Sequence, residues 1–249
     1  MPLEALDAIA RQQAAVDHVD HRPWPLPAGE WSHAQTWEDL CFVHWPVDPA
    51  ELSRHLPESV ELDVRDGAAW LGIVPFRITH LRVRGLPPLP PLDGFRELNV
   101  RTGVTVDGRP GVWFFSLDAS SRLAVETAKR RYRLPYVHAH MELERHDEWL
   151  HVESSRPGGT FCARYRGVGD LFHSEPGSLE WFLVERYCLY TEDGGRLYRA
   201  EIHHRPWELQ RGEVRIDLNT MAPLALPDVQ PHVLFAPRQD TVIWSLLEL

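Results

Sequence analysis

Arg96-Glu-Leu-Asn-Val-Arg-Thr-Gly-Val-Thr-Val-Asp-Gly-Arg-Pro-Gly-Val-Trp-Phe-Phe-Ser-Leu117 is the stretch that decides the fold class. Its halves, 96–106 and 110–117, are rich in β-branched and aromatic residues, and Asp107-Gly108 stands between them. An Asp-Gly pair tolerates the two positive φ angles of a tight hairpin turn, so the stretch predicts two antiparallel strands. Side chains alternate on a strand, so Glu97, Asn99 and Arg101 share one face.

The same signals recur on both sides. Leu40-Cys-Phe-Val-His-Trp45 is a short apolar run ended by Pro46. Asp48 to Leu56 predicts a helix, with Asp48 as N-cap, Pro49 at the first position and Pro57 beyond its end. Asp66-Gly67 joins candidate strands at 60–65 and 68–78. Downstream, 119–132 predicts an amphipathic helix capped by Asp118 and stopped by Pro135. Strands are expected near 136–145, 149–155, 160–166, 186–192, 196–204, 212–218 and 239–246, with a short helix at 177–185. The fold class is α+β, mainly β: an antiparallel barrel or sandwich with a few helices.

Ahead of the first strand, 3–19 predicts a weakly amphipathic helix. Arg22-Pro-Trp-Pro-Leu-Pro27 must run extended, since proline forbids helix and central strand alike. Trp24 and Trp31 are expected to pin this segment by burial. Residues 1–35 are therefore an expected arm, and 36–249 a single domain. Packing of the arm on its own body or on a second copy makes a homo-oligomer an expectation. Gly85-Leu-Pro-Pro-Leu-Pro-Pro91 predicts a proline-rich loop able to cover the sheet's interior.

Bulk properties narrow the partners. The 249 residues carry 36 acidic and 26 basic side chains, a formal charge of −10. That charge repels phosphate backbones, so nucleic-acid binding is not expected. No apolar run is long enough to span a bilayer, so no membrane partner is expected. The chain does not open on a basic segment followed by an apolar one, and a cytoplasmic location is the expectation. Cys41, Cys162 and Cys188 are few, odd in number and widely spaced, which predicts free thiols. No phosphate-binding glycine loop, serine-hydrolase elbow or zincin helix occurs, and no cofactor is expected. Lys129 is the only lysine.

Several stretches resemble a known family: Phe42-Val-His-Trp-Pro-Val47, Gly72-Ile-Val-Pro-Phe76, Glu97-Leu-Asn-Val-Arg-Thr102, Leu134-Pro-Tyr136, Glu185-Arg-Tyr-Cys-Leu-Tyr190 and His203-His-Arg-Pro-Trp207. In combination they are similar to the YqjF-like family, domain of unknown function 2071, from about residue 22 onward. That family is similar in fold to acetoacetate decarboxylase. The resemblance implies an antiparallel β-barrel of the acetoacetate decarboxylase-like type, enclosing a small-molecule cavity. It also implies a departure. The decarboxylase has two lysines after an aromatic-proline pair, one forming the Schiff base and one lowering its pKa. Tyr136 and Val137 stand there in this chain. The decarboxylase's early arginine falls near Glu38 and one of its carboxylates near Gly72.

These residues define a candidate ligand site for an anionic or carbonyl-containing small molecule: Glu97, Arg101, Arg122, Tyr136, His138, Glu185, Arg186 and Tyr187. Arg101, Arg122 or Arg186 could hold a carboxylate through a planar fork of N–H groups. Tyr136, His138, His140, Glu142 and Glu144 alternate with Val137, Ala139, Met141 and Leu143. The polar set either lines the cavity or meets solvent over an apolar core face. A weaker alternative makes His138, His140 and Glu142 a divalent metal site. His203 and His204 point to opposite faces, and one of them is expected to pack with Trp207. The competing functional reading is a structural or regulatory barrel with a filled interior. Schiff-base decarboxylation needs a neutral amine, and Lys129 lies on a helix among other charges. Borohydride reduction in the presence of acetoacetate is therefore expected to leave Lys129 unmodified by peptide mass mapping. A trapped adduct there with carbon dioxide release would overturn this.

Overall fold

A computed structural model describes residues 3–90 and 94–249. In chain order the elements are α1 (Leu3–Ala15), β1 (His33–Val47), α2 (Pro49–Leu52), β2 (Glu61–Leu62), β3 (Ala69–Val83), β4 (Phe95–Val106), β5 (Arg109–Ala119), α3 (Arg122–Tyr132), β6 (Tyr136–His138), β7 (His140–His146), β8 (Trp149–Arg156), β9 (Gly159–Phe172), α4 (Leu179–Val184), β10 (Cys188–Asp193), β11 (Arg196–His204), β12 (Leu209–Asn219), β13 (His232–Ile243) and β14 (Leu247–Glu248). The protein is mainly β with few helices. Pro91, the last residue of the proline-rich loop, lies outside the described residues.

Seven strands pair in a circuit that returns to its start: β11, β10, β5, β4, β3, β1, β13 and again β11. All these pairings are antiparallel except β5 with β10. β13 also pairs with β12, and the path continues through β9 and β8 to β7. This second run lies over the outer face of the circuit. Met141, Leu143, Val152 and Phe161 pack there against Val43, Ile73, Leu98 and Val100. The inner face carries Leu40, Phe42, Val74, Phe76 and Leu234. Both faces of β1 are thus covered, which is why Leu40–Trp45 reads as an unbroken apolar run and not as an alternation.

Particular expectations change. β1 begins at His33 and runs through Pro46 to Val47. Asp39 takes φ +56°, and the ladder with β13 skips the position where it would face Pro237. This irregularity hides the alternation on both strands, so β13 starts at His232, earlier than periodicity predicts. The 60–65 segment forms β2, paired with β4, and the Asp66-Gly67 turn, with φ of 52° and 80°, closes on a single antiparallel bridge between Arg65 and Ala68. The Asp107-Gly108 turn does have φ of 51° and 72°, and it joins β4 to β5. Asp48 caps α2, accepting from Ala50 N at 2.7 Å. Asp118 does not cap α3; Ser121 does. Asp118 is buried at the end of β5, where Arg156 Nε donates to it at 2.6 Å and Ser154 Oγ at 2.8 Å. Those partners are more than thirty residues away and invisible to local capping logic.

The N-terminal segment seals the circuit from outside. Gln12 is buried, donating to His80 O at 3.1 Å and accepting from Arg82 Nε at 2.6 Å. The guanidinium of Arg22 is buried against Glu201 and donates to Ile202 O at 2.6 Å and Tyr187 O at 3.3 Å. Trp24 Nε1 donates to the same Glu201 at 2.8 Å. No described helix is long and apolar enough to cross a membrane, and the three cysteines are free thiols.

Removing one partner of a buried ion pair leaves the other without its charge complement. Arg109 and Arg199 also reach Glu201, which moderates the loss. Arg22→Ala is expected to lower unfolding free energy by about 2–4 kcal/mol in urea titrations. Arg84→Ala, which removes an exposed pair with Glu30, is expected to cost less than about 1 kcal/mol. Equal effects for the two would contradict a sealing role for Arg22.

Candidate functional site

β4 sorts its side chains by parity. Leu98 and Val100 face the outer layer, so Glu97, Asn99 and Arg101 face the space inside the circuit. There they line a cavity of about 660 Å³. Its walls are mainly apolar, with Phe42, Val74, Phe76, Leu117 and Ile202 among them. Trp37, Phe42 and Trp207 form an aromatic group on one side, with Trp37 and Trp207 stacked at 6.0 Å between centroids. α3 lies at the solvent side, contributing Ala124, Thr127 and Ala128 together with the exposed Arg130 and Arg131.

Glu97 is 3% exposed. The Tyr136 hydroxyl donates to its carboxyl at 2.8 Å. Burial pushes this carboxyl up to about 8, against the opposing pull of the hydrogen bonds from Tyr136 and Asn99. Burial, and then Glu97 itself, raise Tyr136 well above the usual phenol value. At neutral pH the pair is a carboxylic acid and a phenol, held together and short of water. Asn99 Oδ1 is buried without a hydrogen-bond partner.

Arg101 is half-buried and faces the cavity, and like the fully buried Arg82 it has no described carboxylate partner. Its guanidinium lies over the Phe42 ring at 5.3 Å and makes one long contact, Nη2 to Leu183 O at 3.5 Å. No described carboxylate lies within 4 Å of it, although sixteen arginine–carboxylate pairs occur elsewhere among the described residues. Burial, reinforced by the charge of Arg186, lowers it to about 9. Arg186 is held differently, by Asp63 and by Phe182 O at 3.0 Å and 2.7 Å. A Cβ on Gly103 would come within 2.9 Å of its Nη2, so glycine there leaves room for the guanidinium.

A second polar group sits at the solvent side of the cavity. His33 Nδ1 lies 2.7 Å from Tyr132 OH and 3.1 Å from Ser32 Oγ, and Tyr132 OH lies 2.9 Å from Ser32 Oγ. Gln35 Nε2 reaches His33 Nε2 at 3.3 Å. Burial, aided by Arg131, lowers His33 to about 4. The sequence reading passed over this group. The parity of His33, Gln35 and Trp37 on one strand face was the signal available, but these residues fell around the expected arm boundary.

Four of the eight sequence candidates line the cavity: Glu97, Arg101, Tyr136 and Arg186. Glu185 and Tyr187 are buried beside it and bonded to each other. Glu185 also accepts from Trp207 N at 3.1 Å, and Tyr187 stacks on His204 at 4.8 Å. Arg122 is exposed on α3 and His138 is exposed at the end of β6, and neither is part of the lining. β6 stops at His138, and Ala139 N turns to Ala119 O, so β7 is a separate strand. Its apolar residues Met141 and Leu143 are buried and His140, Glu142 and Glu144 meet solvent. His140 and Glu142 approach to 3.6 Å, but no three potential ligands among the described residues are grouped to hold a metal ion. The His138, His140, Glu142 alternative is therefore corrected. His204 lines the cavity and packs on Trp207 at 5.1 Å, while His203 turns to Ala15 O at 2.9 Å. Lys129 is exposed on α3 and not in the lining.

Chemically, a guanidinium can meet a carboxylate, and a neutral acid beside a phenol can donate to a carbonyl oxygen or exchange a proton next to it. No cysteine or lysine lines the space.

The profile of the family described as "Uncharacterized conserved protein", domain of unknown function 2071, matches residues 34–240. The chain belongs to this family. It is 42% identical over 227 residues to the uncharacterized protein YqjF of Bacillus subtilis, covering 89% of this chain and 94% of that one. Solved structures share the fold at low identity. The enduracididine biosynthesis enzyme MppR complexed with pyruvate superposes with a TM-score of 0.62 at 13% identity, covering 92% of this chain and 93% of that one. An acetoacetate decarboxylase-like enzyme from Sphingomonas wittichii gives 0.61 at 16% identity, covering 92% and 97%. Acetoacetate decarboxylase from Legionella pneumophila gives 0.61 at 13%, covering 94% and 95%. The fold is thus that of acetoacetate decarboxylase-like proteins.

The raised Glu97 carboxyl makes stability depend on pH. Below its ordinary value of 4.5 it is neutral in folded and unfolded chains alike. From there to about 8 only the unfolded chain ionises, so stability falls as pH rises, and above that range the loss is complete. Glu97→Gln keeps an acceptor for Tyr136 and removes this slope. The variant is expected to match the wild type near pH 4.5 and to exceed it at pH 8 in urea midpoints. Parallel pH curves would contradict the assignment.

Proposed function

We propose that the closed circuit of strands is a barrel and that its interior binds an anionic, carbonyl-containing small molecule. Residues 36–249 form the binding domain in this reading, and 1–35 its sealing arm. The observation that carries it is Arg101: a cation facing a mainly apolar space with no described carboxylate to pair with. A partly desolvated charge without a partner is costly, and a ligand carboxylate supplies the missing charge in a bidentate geometry. Glu97 and Tyr136 then face the rest of the ligand's polar head as a carbonyl-directed donor pair.

Two further points support the reading. The open volume of about 660 Å³ falls within the range of ligand pockets and disfavours a filled, purely structural interior. The similar MppR structure holds pyruvate, a carboxylate with an adjacent carbonyl. A lysine Schiff base has no part in the proposal, because the chain's one lysine is Lys129 on the exposed side of α3. Proton transfer at a carbon next to a polarised carbonyl is the chemistry that Glu97 fits.

Arg101→Met separates binding from stability. Without ligand the variant is expected to be more stable than the wild type, on the order of 1–3 kcal/mol, since it removes a partly desolvated charge with no described carboxylate partner. It is also expected to lose stabilisation by carboxylates in a thermal-shift screen of carboxylates and carbonyl compounds. A variant stabilised by carboxylates as strongly as the wild type would overturn the proposal.

A further inference from the structure

We infer that the ligand is a monocarboxylate with a long apolar body, of about ten carbons or more, and not a three- or four-carbon oxo acid. The inference rests on the proposed binding function and names its ligand class.

Size is the first argument. One water takes up about 30 Å³ in the liquid, so a space of about 660 Å³ corresponds to roughly 20 water-sized groups. A small oxo acid at Arg101 would leave most of the volume empty or wet against apolar walls. The second argument is the distribution of polar groups. Glu97, Asn99 and Arg101 are successive inward positions of one strand, so the polar head site is compact. Between it and the Ser32–His33–Tyr132 group at the solvent side, the wall is mainly hydrocarbon and aromatic: Leu40, Phe76, Leu117, Ile202 and Ile243 with the Trp37–Trp207 stack. An apolar chain laid along these residues is removed from water, with a gain that grows with each methylene. The third argument is α3. Along its first turns the residues it turns to the cavity, Ala124, Thr127 and Ala128, are small, which keeps the space open toward the solvent side, where Arg130, Arg131 and Tyr132 of the same helix also line it. Arg130 and Arg131 mark that side, and neither is in an ion pair among the described residues. On a chain of net charge −10, a local cationic mouth draws an anion toward an opening that the rest of the surface would repel it from.

The test uses the full-length protein, isothermal titration and native mass spectrometry. The probes are decanoate, 1-decanol and pyruvate. Decanoate is expected to bind one per chain, at least about 100-fold tighter than pyruvate. Decanol, with the same chain and no charge, is expected to bind at least about 10-fold more weakly than decanoate. Arg101→Met is expected to reduce decanoate affinity to that of decanol. Ala128→Trp, which fills the cavity under α3 and leaves the head site untouched, is expected to weaken decanoate and spare pyruvate. Binding of pyruvate as tightly as decanoate would overturn this inference while leaving the proposed function standing. Failure of both anions would overturn both. Equal affinity for decanol and decanoate, or several decanoates per chain insensitive to both substitutions, would also overturn it.

Discussion

Only three residue pairs join β11 to β13: Ile202 with Ile243, His203 with Val242 and His204 with Thr241. Without them the circuit is an open, twisted sheet and the cavity has no far wall. So short a ladder contributes little alone, and neighbouring segments reinforce it. Ser32 N donates to Ile243 O at 2.8 Å and Trp244 N to Glu201 O at 3.0 Å. Arg22 binds the carbonyl of Ile202 from the other side. The segment ahead of β1 is thus a clasp across the seam, and its proline-rich part suits that task because it presents side chains without competing for the ladder. Trp31 and Trp244 close the same joint with apolar surface.

The seam also explains why the interior can be polar at one place. Stability is supplied outside the cavity, where β7, β8, β9 and β12 cover β1, β3 and β4 with a conventional apolar layer. The inner face of β4 is then free to hold a neutral acid, an amide and an uncompensated guanidinium. Departures from good packing are tolerated where other layers compensate, and such departures cluster at functional sites.

Much of this was legible in the chain, for reasons that differ by residue. The Asp107-Gly108 hairpin and the parity of Glu97, Asn99 and Arg101 are local facts, so β4 and β5 and the inward trio could be read directly. Leu40–Trp45 signalled a strand but not that both its faces are covered, since a layer made by residues a hundred positions later leaves no local trace. Asp118 fits a cap by every local rule and yet serves as the buried partner of Arg156. His138 shares strand parity with Tyr136, but a one-residue break at Ala139 ends the strand before that parity applies further. The Ser32, His33 and Tyr132 group joins residues a hundred apart, and no spacing rule connects them.

That last group fixes its own hydrogens. Trp37 Nε1 can only donate, and it meets Gln35 Oε1 at 2.7 Å. Gln35 therefore presents its amide N–H to His33 Nε2, which must accept, leaving the imidazole proton on Nδ1. From there the order runs to the Tyr132 hydroxyl, on to Ser32 Oγ and finally to Ile243 O at 2.9 Å. Each hydroxyl accepts from the member before it and gives its single hydrogen to the next, so the order follows from the Trp37 donor. His33 is consequently a strut of fixed tautomer and not a base, and the chain of donors lashes the end of α3 to β1 and β13 at the seam itself. The directed series of bonds holds that helix end in one place, so the solvent side of the cavity keeps its shape.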